Sequence, residues 1–75
     1  MEYNGWTNWE TWQVNLWVQN EYNNYKYIIE EMPYTPFKAQ RIALEIYPEG
    51  TPDMKGAYEL DEVNWEEIAE SWNEE

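Results

Sequence analysis

The carboxylates are the side chains of this sequence that could do chemistry. Pairs such as Glu66 with Glu70, or Asp61 with Glu62, lie close enough in the sequence to share one site. Two carboxylates can hydrolyse a glycosidic bond, and carboxylate oxygens bind Mg²⁺ or Ca²⁺. However, sixteen Asp and Glu among 75 residues produce such pairs by chance. So short a chain also leaves little room for the concave pocket that small-molecule sites need.

The residues on which catalysis more often depends are missing. The sequence contains no His and no Cys, which excludes the usual triads, thiol nucleophiles and zinc sites built from these residues. It also lacks a glycine-rich phosphate loop. The sequence therefore predicts a protein that is not an enzyme and that needs no metal or cofactor.

The composition indicates a folded acidic domain. The net charge is −12, yet the chain carries six Trp and seven Tyr. An acidic disordered tail would be poor in aromatic residues, because low hydrophobicity is what keeps such segments unfolded. We expect a single small domain over residues 1–75, with a radius of gyration of roughly 11 Å.

The charge also restricts location and partners. No stretch approaches the roughly 20 apolar residues of a membrane-spanning helix, the N-terminus does not resemble a signal peptide, and cysteine is absent. We therefore expect a cytoplasmic protein. Strong negative charge repels phosphate, so direct binding to nucleic acid or to an anionic membrane is not expected, and partners should be neutral or basic.

Capping signals divide the N-terminal half into helices. Thr7 and Glu10 fit a capping box, and Trp9, Trp12 and Leu16 follow at the spacing of one helix face. Asparagines at 20, 23 and 24 are mediocre helix formers, so a bend or break is expected there, whether or not the helix ends.

A second apolar stripe runs over residues 25–32 and ends before Pro33. Thr35 and Pro36 then predict the start of a third helix, closed by Pro48 and Gly50. Its expected apolar side consists of Phe37, Ile42, Ala43, Leu44 and Ile46.

The last helix is predicted to begin at Asn64. Glu67 stands three residues on, while Val63 and Ile68 occupy the positions of a hydrophobic staple. The face formed by Trp65, Ile68, Ala69 and Trp72 is expected to pack against the N-terminal Trp-rich helix. Alternation over residues 57–63 allows a minor short strand pair. The predicted fold is mostly α, a compact bundle of three to four short helices.

The C-terminal acids are the candidate binding surface. No positive residue follows Lys55, and carboxylates accumulate on and before the last helix. Duplex DNA carries one charge per about 1.7 Å of axis, so about 25 Å presents about 15 charges, a density that sixteen acids on a globule of this size match. The candidate residues are Glu59, Asp61, Glu62, Glu66, Glu67, Glu70 and Glu74, with Glu30, Glu31 and Glu45 as a possible extension.

Three interpretations of these residues remain open. The acids could simply form a solvated face that keeps a small protein soluble. Alternatively, they could mimic a nucleic-acid backbone before a basic, nucleic-acid-binding site of another protein. As a further alternative, exposed Trp and Tyr could anchor a protein partner through apolar contacts, without mimicry. As the functional hypothesis, the sequence favours mimicry of a nucleic-acid backbone.

Two segments carry a resemblance to a known family. Residues 4–17 read NGWTNWETWQVNLW, and residues 62–70 read EVNWEEIAE. The first resembles the opening NGWTN-x-ETW-x-V-x-LW of a family of small proteins of unknown function from bacteriophages and mobile elements. The second is similar to the EVNW-x-EIAE segment that closes members of that family.

This resemblance implies a viral or plasmid source and a mostly helical fold. By analogy with other small acidic phage proteins, it implies an inhibitor of host nucleic-acid-handling machinery, such as a restriction enzyme, a CRISPR effector or a repair glycosylase. Such a protein would act in the cytoplasm of the host cell.

Overall fold

A computed structural model describes residues 2–74, most of which lie in helices. Its radius of gyration is 11.1 Å. The described residues contain no sheet, and their single β-bridge joins Tyr3 to Trp6. The prediction of a mostly α bundle of short helices is thus confirmed. In chain order the helices are α1 (Trp9–Asn20), α2 (Tyr22–Glu30), α3 (Pro36–Ile46), a 3-10 helix (Ala57–Glu62) and α4 (Trp65–Asn73).

Helix α1 begins one residue later than the capping box predicted. Asn8, not Thr7, is the N-cap, and its Oδ1 accepts a hydrogen bond from the Thr11 amide at 2.9 Å. The predicted Thr7–Glu10 box is therefore wrong, because Asn8 already satisfies the first turn. The expected break within 20–24 is confirmed at Glu21, whose extended backbone separates α1 from α2.

The buried face of α1 is also not the one formed by the tryptophans. Thr11, Val14 and Val18 are buried, whereas Trp9 and Trp12 are only partly buried. Both sets have helical spacing, so periodicity alone could not choose between them. The small β-branched residues let α1 approach its neighbours closely, and Trp9 packs against the core while staying partly exposed.

The α2–α3 connection forms as the sequence predicted. α2 ends shortly before the cis Met32–Pro33 peptide bond. Thr35 caps α3 by accepting from the Lys38 amide at 3.1 Å. Between these points Tyr34 is buried, and its hydroxyl donates to the Ile28 carbonyl at 2.9 Å.

Two of the five residues expected on the apolar side of α3 face solvent instead. Phe37 is 75% exposed and Leu44 is 39% exposed, while Ala39, Ile42 and Ala43 are buried. The buried stripe of α3 is narrower than the sequence suggested, because small alanines allow α4 to lie close against it.

The minor strand pair that alternation allowed over residues 57–63 does not form. Residues 57–62 form the 3-10 helix, which buries Leu60, and its C-cap Val63, three residues further on, is also buried. This spacing matches the three residues per turn of a 3-10 helix. The loop before it is compact, because Gly50 has a φ of +92° and a Cβ there would lie 3.0 Å from the Gly56 carbonyl oxygen.

Helix α4 closes the core. Ile68, Ala69 and Trp72 are buried and Trp65 is partly buried, as the sequence predicted. However, α4 packs more extensively on α3 than on α1, the partner that was expected. The Trp72 ring meets Tyr34 edge-on at 5.2 Å between centroids. The outer face of α4 is thereby left to its acids.

Candidate acidic interface

The outer face of α4 carries a row of carboxylates. Glu66, Glu70 and Glu74 are exposed and follow each other at intervals of four residues, which places them along one side of a helix. Over the eight residue steps from Glu66 to Glu74 the helix rises about 12 Å. With Glu67, four carboxylates lie on this length at a mean axial spacing of about 4 Å, comparable to the one charge per about 3.4 Å of a single DNA strand. We call these four residues the α4 row.

Reciprocal hydrogen bonds join the starts of α1 and α4. The Asn8 amide group donates to the Glu62 carbonyl at 2.7 Å, and the Asn64 main-chain amide donates to the Thr11 hydroxyl at 2.9 Å. Asn64 also caps α4 by accepting from the Glu67 amide at 3.1 Å. Each capping asparagine thus binds its own helix and the opposite segment, so the start of the acidic helix is fixed to α1.

Glu67 differs from the rest of the α4 row, because it is partly buried. Its Oε1 accepts a hydrogen bond from the Thr7 main-chain amide at 3.0 Å. The Thr7 hydroxyl in turn accepts from the Asn64 side-chain amide at 3.1 Å. The sequence placed Glu67 in the capping signal of α4 and on the candidate surface, and it missed this tertiary hydrogen bond because the two residues lie 60 positions apart.

The acids before α4 lie on the 3-10 helix. Asp61 and Glu62 are exposed. Glu59 is partly buried, and its carboxylate accepts from the Lys55 main-chain amide at 2.6 Å. The 3-10 helix leads directly into α4, so six of the seven predicted carboxylates belong to two consecutive helices, and the seventh, Glu74, is the C-cap of α4.

The possible extension lies on and beside other helices. Glu30 belongs to α2 and Glu31 follows it. Glu45, on α3, pairs with Arg41 at 3.1 Å. It also accepts from the Tyr27 hydroxyl at 3.1 Å, a hydrogen bond that raises the pKa of that phenol. Glu45 is therefore partly neutralised, and it is a weaker candidate than the exposed acids of α4.

An open groove borders the α4 row. It has a volume of about 340 Å³ and is lined by Gly5, Trp6, Glu67, Glu70, Ser71 and Glu74. One wall is a tight turn in which Asn4 and Gly5 both have positive φ, as the Asn-Gly pair of a type I′ turn requires. Tyr3 and Trp6 pair across this turn through two main-chain hydrogen bonds of 2.7 and 2.8 Å.

The alternative of a partner anchored by exposed aromatic side chains depends on residues other than the tryptophans. All six Trp are buried or partly buried. The most exposed large side chains are Phe37 at 75%, Tyr22 at 72% and Tyr58 at 63%. They lie on three different elements, α3, α2 and the 3-10 helix.

Residues 2–74 contain no group of three or more Asp and Glu arranged to hold a metal ion. Within the same residues, no helix has the length and apolar character needed to span a membrane.

Comparison with known proteins identifies the family of this chain. No curated protein and no solved structure matched the chain. A family model with the description "Family of unknown function (DUF7249)" matches residues 1–74. Since the match spans nearly the whole sequence, the chain belongs to this family of unknown function.

Proposed function

We propose that this protein is an inhibitory binding protein that presents its acidic face to a basic, nucleic-acid-binding surface of a host protein. Its target would be of the kind found in restriction, CRISPR or DNA-repair systems, and its setting the cytoplasm of a host cell that carries a phage or mobile element. The single observation that carries the proposal is the α4 row, whose charge spacing resembles that of one DNA strand.

The fixed position of the row supports this proposal. A nucleic-acid-binding cleft recognises phosphates by their spacing as well as by their charge, so a mimic must hold its carboxylates in place. The hydrogen bonds of Asn64 and Glu67 attach α4 to the N-terminal segment, and Trp72 anchors its other side in the core. The exposed acids therefore project from a helix that is held at several points.

The balance of charges on α4 also supports the proposal. The sole ion pair among residues 2–74 is Arg41 with Glu45, on α3. The carboxylates of α4 thus lack an internal counter-charge in this part of the chain. Like charges at four-residue spacing destabilise a helix, so such a row is unfavourable for folding and gains its counter-charges only from ions or from a basic partner.

Protein capture with two charge-matched variants tests the proposal. The first variant, Glu66→Lys/Glu70→Lys/Glu74→Lys, reverses the three exposed acids of the row. The control, Glu2→Lys/Glu21→Lys/Glu49→Lys, reverses three exposed acids outside it. Each replacement adds two charges, so both variants change the net charge from −12 to −6. Wild type, variant and control are immobilised and exposed to nuclease-treated bacterial lysate, and bound proteins are released with duplex DNA.

We expect wild type and control to retain a protein that duplex DNA and rising salt both release, and the α4 variant to lose it. Retention of the same protein by the α4 variant would contradict the proposal. A bound protein whose retention is insensitive to salt would instead indicate apolar anchoring through residues such as Phe37.

A further inference from the structure

We infer that the groove beside the α4 row binds the guanidinium group of an arginine side chain of the partner, between Trp6 and the carboxylates of Glu70 and Glu74. This inference rests on the proposed function, since it assumes a basic protein partner. It adds the chemistry by which a single residue of that partner would be recognised.

Trp6 provides an aromatic wall that is independent of the acids. Its side chain is partly buried and packs against the hydrophobic core, and it also lines the groove. The main-chain hydrogen bonds between Tyr3 and Trp6 hold the turn that carries it. A cation close to the face of a tryptophan ring is attracted by the ring's electron distribution, and arginine makes this contact more often than lysine.

The carboxylates supply negative charge that the protein itself does not neutralise. No Lys or Arg lines the groove. Glu67 also lines the groove, but its Oε1 already accepts a hydrogen bond from the Thr7 amide. Glu70 and Glu74 are exposed and lie one helical turn apart on the rim, where they can accept charge-assisted hydrogen bonds from a ligand.

The size and shape of the groove suit one side chain. Its volume of about 340 Å³ lies at the lower end of the range of about 300–1,000 Å³ typical of ligand pockets. Because the groove is open along one side, a side chain projecting from another protein can enter it. A planar guanidinium can stack on an indole ring while donating to carboxylates, whereas a lysine ammonium acts as a compact, strongly hydrated charge.

NMR titration with three short peptides tests this inference without the partner. The probes are acetyl-Gly-Arg-Gly-amide and the same peptide with Lys or Gln in place of Arg. We expect saturable shifts of the Trp6 indole N–H and of the Glu70 and Glu74 amides with the Arg peptide. The Lys peptide should bind about two- to five-fold more weakly, and the Gln peptide should produce no saturable shift.

Matched variants locate the site. Trp6→Leu should weaken binding of the Arg peptide by about two- to five-fold, and Trp6→Phe, which keeps an aromatic ring, by less. Trp17→Leu is the control, because Trp17 is also partly buried but does not line the groove. Glu70→Gln/Glu74→Gln should weaken binding more than Glu21→Gln/Glu49→Gln, which removes the same charge elsewhere.

Equal binding of the Arg and Lys peptides, or unchanged affinity in both Trp6 variants, would overturn the inference. The dispersion of the amide spectrum reports folding in the same samples, and Trp6→Phe keeps the test valid if Trp6→Leu unfolds. A failure here is distinguishable from a failure of the proposed function, because the capture experiment with the α4 variant does not depend on peptide binding.

Discussion

The side chains of Asn8 and Asn64 each connect a helix start to a distant segment. Asn64 accepts from the Glu67 amide and donates to the Thr7 hydroxyl, and Asn8 donates to the Glu62 carbonyl. An ordinary N-cap stabilises a helix by about 1 kcal/mol. These residues add tertiary hydrogen bonds to that local contribution, which makes their role larger than capping alone.

Replacement of Asn64 by Ala should therefore destabilise the protein more than replacement of Thr35, which caps α3 only through the Lys38 amide. We expect a loss of about 1 kcal/mol for Thr35→Ala and about 2 kcal/mol for Asn64→Ala, because the latter also removes a tertiary hydrogen bond. Urea unfolding of both variants measures the difference. Equal losses would mean that the bond to Thr7 contributes nothing.

Tyr34 gives the protein a predictable response to alkaline pH. Burial raises the pKa of this phenol well above its ordinary value, and its hydroxyl donates to the Ile28 carbonyl. The unfolded chain loses this proton near pH 10 while the folded chain keeps it. The contribution of Tyr34 to stability should therefore be constant below pH 10 and fall above it, as the unfolded state binds fewer protons.

The Tyr34→Phe variant lacks this proton, so its stability should decrease less steeply than that of wild type between pH 10 and 11. Urea unfolding at pH 8, 10 and 11 checks the slope, which the lost hydrogen bond of the variant does not affect. Tyr47→Phe is a useful comparison, since burial also raises the pKa of Tyr47. Equal slopes of stability against pH for wild type and Tyr34→Phe would refute the raised pKa of Tyr34.

At the scale of elements, α4 is both a core helix and the carrier of the acidic surface. One side buries Ile68 and Trp72, and the other exposes Glu66, Glu70 and Glu74. Glu67 lies between these sides and attaches the N-terminal turn through Thr7. The turn that carries Trp6 is therefore attached to α4 through Thr7, which bonds to Glu67 and to Asn64.

Glu67→Ala should consequently loosen the attachment of the turn to α4, whereas Glu66→Ala should not. The two substitutions remove the same charge from adjacent residues, but only Glu67 accepts from the Thr7 amide. We expect hydrogen exchange of the Thr7 amide to become faster in Glu67→Ala and to stay unchanged in Glu66→Ala. Unchanged exchange in both variants would show that the bond does not hold the turn.

Most elements of the fold could be predicted from the sequence, because capping residues and proline act locally. Thr35 with Pro36, and Asn64 with Glu67, marked the starts of α3 and α4 where the structure has them. The sequence predicted Thr7 as the first cap where the structure has Asn8, since tertiary hydrogen bonds from Glu62 and Asn64 engage these two side chains. The sequence did not predict the groove either, because its walls, Trp6 and Glu70, are distant in the chain.

At the scale of the whole molecule, the dominant feature is self-repulsion. The net charge of −12 is confined to a globule whose longest dimension is 29 Å. The Debye length is about 30 Å at 0.01 M salt and about 3 Å at 1 M. At low salt every carboxylate therefore interacts with all the others, and at high salt only near neighbours do.

Stability should consequently rise with salt. Thermal unfolding in 0.01, 0.1 and 1 M NaCl should show a steadily higher midpoint in wild type. The rise should be smaller in Glu66→Gln/Glu70→Gln/Glu74→Gln, which lacks part of the repulsion. A midpoint that falls with salt would mean that attractive surface pairs outweigh the repulsion among the acids.

If the proposal is right, the α4 row and nucleic acid compete for one basic surface of the partner. The most direct measurement is displacement of a fluorescent DNA duplex from the captured partner, followed by anisotropy as this protein is added. We predict complete displacement by wild type and by the Glu2→Lys/Glu21→Lys/Glu49→Lys control, and none by Glu66→Lys/Glu70→Lys/Glu74→Lys. A ternary complex, in which the partner holds both the duplex and wild-type protein, would show that the α4 row does not occupy the nucleic-acid-binding surface.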